Sequence, residues 1–142
     1  MPDALDLDRF LLAQEGVYED ALAELKGGRK RTHWMWFLFP QIQGLGQSET
    51  AKHYAIRSQE EAQSYLAHEV LGSRLKESAS AVLRSGATSA TELLGTPDDL
   101  KLKSSMTLFE RVAPDPHSVF SEVLRKYYEG QPCPQTVNFL SA

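Results

Sequence analysis

Apolar positions recur at helical spacing along most of this chain. Asp6 or Asp8 is placed to cap a first helix, because a carboxylate accepts hydrogen bonds from the unpaired amides of the first turn. Phe10, Ala13 and Val17 then follow on one face, with Gly16 as a break. Tyr18, Ala21, Leu22 and Leu25 form a second stripe at i, i+3, i+4 and i+7, ended by Gly27-Gly28. Ser58 and Glu61 have capping-box spacing ahead of Ala62, Tyr65 and Leu66. A further helix runs from about Val70 to Ser85, with Leu71, Leu75, Val82 and Leu83 inward and Gly86 as terminator. Ala90 to Leu94 makes a short helical turn closed by Gly95. Thr96-Pro97-Asp98-Asp99 supplies a hydroxyl cap, a proline at the first helical position and two acids at the positive end of the dipole. Leu102, Met106 and Phe109 then share one side. After the rigid Pro114-Asp115-Pro116 loop, Ser118 opens a helix with Val119, Phe120, Val123, Leu124 and Tyr127, closed by Gly130. Gln131 to Ala142 holds two prolines and reads as a loop, with Val137 to Leu140 docking on the body.

Arg29 to Pro40 is the most unusual stretch: the cluster Arg29-Lys30-Arg31 runs into a block with Trp34, Trp36, Phe37 and Phe39. Periodicity does not separate a buried strand from a short buried helix here. Thr32 as a cap and the helical surroundings favour helix, and Pro40 ends the block either way. Gln41 to Ser48, with Gly44 and Gly46, reads as an ordered loop. The whole predicts an all-α single domain over residues 1–142. Six or seven helices surround one core, ordered from about residue 6 to 130 and followed by the tail 131–142.

Composition supports that picture and narrows the function. At 142 residues and 42% hydrophobic, the chain can bury a core without staples. A formal net charge of −4 argues against a general nucleic-acid binder, which carries a basic surplus. The single cysteine, Cys133, cannot form an intrachain disulfide, and the acidic start lacks a signal-peptide pattern. The apolar run from Trp34 to Pro40 is far short of the roughly 20 residues of a membrane helix. These features predict a cytoplasmic protein that works off the membrane.

Several residues carry candidate chemistry. Lys30 and its basic neighbours suit phosphate, Trp34 or Trp36 offers a face for a ring, and His33 suits a proton donor or ligand-orienting group. The other reading is a solvated loop leading into core aromatics. Gly44 and Gly46 permit close backbone approach to an anion, or simply make a turn; neither a dinucleotide fingerprint nor a P-loop is present, and no cofactor is predicted. Gln41 suits a base or amide. On a helix, Lys101, Ser104 and Ser105 share a face opposite much of the Leu102-Met106-Phe109 stripe. They would admit either a ligand or another helix. No two histidines have zinc spacing, so no metal site is predicted.

Arg9-Phe10 through Ala13-Gln14, His33-Trp34-Met35-Trp36-Phe37 through Phe39-Pro40-Gln41 with Gly44-Leu45-Gly46, and Ser104-Ser105-Met106-Thr107-Leu108-Phe109 resemble the bacterial DUF1810 family, over about Leu7 to Thr136. Tyr65-Leu66-Ala67-His68 and Leu71-Gly72-Ser73-Arg74-Leu75 extend the likeness. Glu69 and Leu94 depart from the family's usual proline and phenylalanine. Members are often labelled calpastatin, a repeated and disordered inhibitor that a single-core chain does not match. The family brings no established activity.

The order of elements is also similar to the NADAR proteins, which implies a NADAR-like arrangement and chemistry on ADP-ribose or nucleotide-derived N-glycosides. Such cleavage needs a carboxylate beside the sugar, and Glu24, close to the basic–aromatic segment, is the nominal candidate. The leading expectation is binding or N-glycosidic processing of a phosphorylated, nucleotide-derived small molecule. It would lie in a pocket between the tryptophan block and the late serine-bearing helix. The competing one is a non-enzymatic protein-interaction or regulatory module whose aromatic block is core.

Overall fold

The computed structural model describes residues 6–46 and 48–141. Among them the chain forms α1 (Asp8–Gln14), α2 (Tyr18–Lys26), α3 (Met35–Leu38), α4 (Glu49–His53), α5 (Gln59–Ala67), α6 (Glu69–Leu83), α7 (Ala90–Leu94), α8 (Asp98–Val112), α9 (Val119–Tyr128) and α10 (Pro134–Ser141). The all-α class is as the periodicity predicts, but ten helices replace the six or seven expected. The surplus lies in α4, which Ser48 caps by accepting from the Ala51 amide at 3.1 Å, and in α10, where a loop tail was expected. Pro134 opens α10, since a proline at the first helical position has no amide to lose. The Cys133 amide bonds Thr107 Oγ1 at 2.9 Å, and Phe139 and Leu140 pack on the core.

Two expected caps are absent. Asp6 adopts φ 50°, its carbonyl receives Arg9 Nη1 at 2.7 Å, and α1 starts after Leu7 with no side-chain cap; Asp8 sits inside the first turn instead. At α8 the carbonyls of Gly95 and Pro97 take the Asp99 and Leu100 amides, at 2.9 and 3.0 Å, so the Thr96 hydroxyl does not cap and Pro97 holds the cap position. Ser58 caps α5 as its spacing predicts, accepting from the Glu61 amide at 3.0 Å. Glu61, however, returns its carboxylate to the amide of Arg57 at 2.7 Å rather than to that of Ser58.

α8 is the hub, touching α5, α7, α9 and α10. Leu102, Met106 and Phe109 are fully buried as the stripe predicts, yet Ser104, Ser105 and Thr107 on the other side are buried too. Small side chains there let the start of α10 lie close, with Cys133 Sγ 3.2 Å from Ser104 Oγ and the Cys133 amide 2.9 Å from Thr107 Oγ1. α6 packs on α2, α5 and α9 to complete the core. The α5–α6 corner requires glycine: a Cβ on Gly72 would stand 2.0 Å from the Leu66 carbonyl oxygen.

A buried ion pair fixes the opposite corner. Arg9 and Glu61, 5% and 2% exposed, meet at 2.7 Å. The guanidinium also donates to the carbonyls of His53 and Ala55, at 2.8 and 2.9 Å. This pins residues 53–57 to α1. An isolated bridge between Ile42 and Ile56 then sets the Gln41–Gly46 loop against that pinned segment.

Candidate functional site

The site starts from Glu24. One carboxylate oxygen accepts from the Arg31 amide at 2.7 Å, the Thr32 amide at 2.9 Å and Trp34 Nε1 at 2.9 Å. The other accepts from the Thr32 hydroxyl at 2.7 Å. Thr32 therefore does not cap the aromatic helix, which is reduced to the single turn Met35–Leu38 with Trp34 at its start. Burial pushes the Glu24 carboxyl up, but the hydrogen bonds from Thr32, Arg31 and Trp34 outweigh it and bring its pKa down to about 2. Glu24 is thus a fixed anion that draws Trp34 into the core, where it is 0% exposed. Two residues later the chain has turned, and Trp36 is left half-buried.

Trp36 lines a groove of about 540 Å³ bounded by Gln41, Leu45, Gly46 and Ser48, the first half of α8 and the start of α10. Pro97 at the cap of α8 and Leu100, Lys101 and Ser104 along it face the groove at one helical spacing, with Lys103 flanking. Lys101 Nζ sits 5.2 Å from the Trp36 ring centroid and 3.3 Å from Asp98 Oδ1. The other oxygen of Asp98 holds Lys30 Nζ at 2.9 Å, and Lys30 lies over the buried Trp34 ring at 5.5 Å. Asp98 therefore ties the two lysine–tryptophan pairs together and consumes most of the charge of Lys30, whose side chain is 9% exposed. Lys103 Nζ has no carboxylate partner among the described residues. None of the described residues lining the groove is Asp or Glu.

At the far end, Cys133 Sγ accepts from Ser104 Oγ at 3.2 Å and lies 3.4 Å from Gln135 Oε1. Burial pushes the Cys133 thiol up, but polar groups around the sulfur, first among them the Ser104 hydroxyl, outweigh it and bring the thiol below its ordinary pKa.

The groove thus brings together Trp36, Gln41, Gly46, Lys101 and Ser104 of the residues expected from sequence. His33 is exposed, with its ring 6.4 Å from that of Trp36, at the groove's edge. The others lie elsewhere. Glu24, Lys30 and Trp34 form the support behind the groove, and Ser105 faces the interior with its hydroxyl unpartnered. Gly44 lines a smaller adjoining groove of about 370 Å³ with Lys52 and Arg57. Lys103, Cys133 and Gln135 escaped sequence reasoning. Lys103 directly precedes Ser104, and the Pro-Cys-Pro sequence at 132–134 is itself a helix-start signal.

A larger groove of about 700 Å³ opens between α5, α6 and the α8–α9 loop. Its lining mixes Lys76 and His117 with Asp115 and lacks an available aromatic face, since Phe120 is buried. No group of three or more His, Cys, Asp or Glu among the described residues is placed to hold a metal ion. No described helix is long and apolar enough to cross a membrane.

Comparison with known proteins places the chain among sequences without an assigned activity. The model of a family described as "Protein of unknown function (DUF1810)" matches residues 4–140. The crystal structure of the conserved hypothetical protein Rv1873 from Mycobacterium tuberculosis superposes with a TM-score of 0.95 at 50% sequence identity, covering 99% of each chain. No curated protein matches.

Proposed function

This chain belongs to the DUF1810 family, described as of unknown function, and from its groove we propose that it binds a phosphorylated, ring-bearing small molecule of the nucleotide class. One observation carries the reading: half-buried Trp36, with Lys101 over its ring, sits in a cleft whose described lining holds lysines and neutral polar groups but no carboxylate. A planar ring stacks on an indole face, and ammonium groups attract phosphate. Lys103 and Lys101 supply the charge, while Gln41, Ser104 and Gln135 supply hydrogen bonds for a sugar or base. A volume of about 540 Å³ lies within the range of small-ligand sites.

Binding is favoured over N-glycosidic cleavage, because cleavage calls for a carboxylate at the sugar and usually one of raised pKa. Glu24 is engaged by four hydrogen bonds away from the groove and is held low. An interaction module is less well supported. Among the described residues the exposed large apolar ones, Leu12, Val70 and Leu100, lie on three different helices.

Melting temperature against phosphate, adenosine 5′-monophosphate, ADP-ribose and NAD tests the reading. A ligand at about 100 times its dissociation constant stabilises the fold by roughly 2.7 kcal/mol, a shift of several degrees. The expected result is a shift with the nucleotides that Trp36→Ala or Lys103→Ala abolishes. A flat panel at millimolar ligand contradicts the proposal.

A further inference from the structure

The two grooves on this side of the molecule adjoin: Gln41, Gly46 and Ala51 line both. Between them stands Gly46, where a Cβ would meet the Ala51 Cβ at 2.4 Å, so the saddle is bare backbone packed against α4. One groove carries Lys101 and Lys103, the other Lys52 and Arg57. Neither has an Asp or Glu among its described lining residues, although acids outnumber bases in the chain, 19 to 15. The nearest compensating acids are Asp98, at 3.3 Å from Lys101, and Glu49, at 4.0 Å from Lys52 with its side chain 95% exposed. The Arg57 side chain and Lys103 Nζ have no acidic partner among the described residues. Cations gathered at two ends of one cleft, in a protein of net charge −4, point to two anionic groups on one ligand.

We infer that the site takes a nucleotide with two separated anionic groups, of the nucleoside bisphosphate class, rather than a monophosphate. The ring and the first phosphate lie with Trp36, Lys101 and Lys103. The sugar crosses the Gly46 saddle beside Gln41, and the second phosphate meets Arg57 and Lys52. This assignment rests on the groove binding a phosphorylated ring at all. The second groove supplies what the first lacks, a guanidinium able to grip phosphate in a bidentate fork.

Calorimetric titration of the full chain with adenosine 5′-monophosphate and adenosine 3′,5′-bisphosphate separates the possibilities, with Arg57→Ala as the variant. The bisphosphate should bind about tenfold more tightly, the worth of one charge-assisted contact. Arg57→Ala should erase that gain and leave monophosphate affinity unchanged. Because the Arg57 side chain is exposed and its amide carries the bond to Glu61, the variant keeps its fold, which an unchanged melting temperature without ligand checks. Equal affinity for the two nucleotides overturns this inference while leaving the proposed function standing. Failure of both to bind overturns both. A single-stranded oligonucleotide that outcompetes the bisphosphate would also overturn it, in favour of a nucleic-acid partner.

Discussion

Removing the Glu24 carboxylate should cost stability and leave no missing chemistry behind. Glu24→Ala withdraws the acceptor of Trp34 Nε1, at 2.9 Å on a fully buried residue, and three further bonds from the more exposed Arg31 and Thr32. An orphaned buried donor costs about 1–3 kcal/mol, whereas exposed amides recover most of their loss from water. The expected penalty at pH 7 is therefore about 2–3 kcal/mol.

The pH dependence gives a second check. A carboxyl held at about 2 in the fold, against an ordinary value of 4.5, stabilises the folded state fully above pH 4.5. That contribution is lost as pH falls through the folded value. A shift of this size corresponds to about 3 kcal/mol in full, which solvent screening of a partly exposed group reduces to roughly 1–2 kcal/mol. Urea unfolding of wild type and Glu24→Ala at pH 6 and pH 3 reads both effects. The gap between the two proteins should be wide at pH 6 and narrower at pH 3. A gap under about 0.5 kcal/mol at pH 6, or one that does not shrink in acid, would refute the scaffold role.

Further consequences follow from the packing. Arg9→Met leaves the Glu61 carboxylate buried without its counter-ion and the His53 and Ala55 carbonyls without their donor, so urea unfolding should show a loss of about 3–5 kcal/mol; a loss below about 1 kcal/mol would contradict this. Gly72→Ala forces a Cβ onto the Leu66 carbonyl and should cost about 3 kcal/mol or more in the same assay, against no loss if the corner can open freely. The Cys133 thiol should be alkylated by iodoacetamide with a pH midpoint below that of a free-cysteine peptide, and Ser104→Ala should raise that midpoint. An unchanged midpoint in the variant would remove Ser104 from that role.

The helical class and most long helices were legible because their signals are local. The α5, α6 and α9 stripes need only 3.6-residue spacing, and caps such as Ser58 and Ser118 need only their neighbours. α4 was not legible, since five residues carry no readable period; the equally short α3 and α7 were placed from what ends them, Pro40 and Gly95, and from their helical surroundings. The roles of the two tryptophans were hidden for another reason. Which of them is core depends on Trp34 reaching back ten residues to donate to Glu24, a tertiary contact absent from any pattern of spacing. Lys30 looked like a phosphate ligand, yet Asp98, sixty-eight positions on, claims it. Lys101 and Ser104 share a helix face by spacing alone, whereas their approach to Gln41 and Gly46 on the loop and to Cys133 and Gln135 at the start of α10 is tertiary and has no signature in spacing.

The most direct test follows the two indole N–H signals during titration of 15N-labelled protein with adenosine 5′-monophosphate, Trp36→Phe supplying their assignment. If the groove binds the nucleotide, the Trp36 signal and the amides of Lys101, Lys103 and Ser104 move saturably. The Trp34 signal, buried and bonded to Glu24, stays in place. Both indoles unmoved at millimolar nucleotide, or changes confined to the groove beside the α8–α9 loop, would contradict the account.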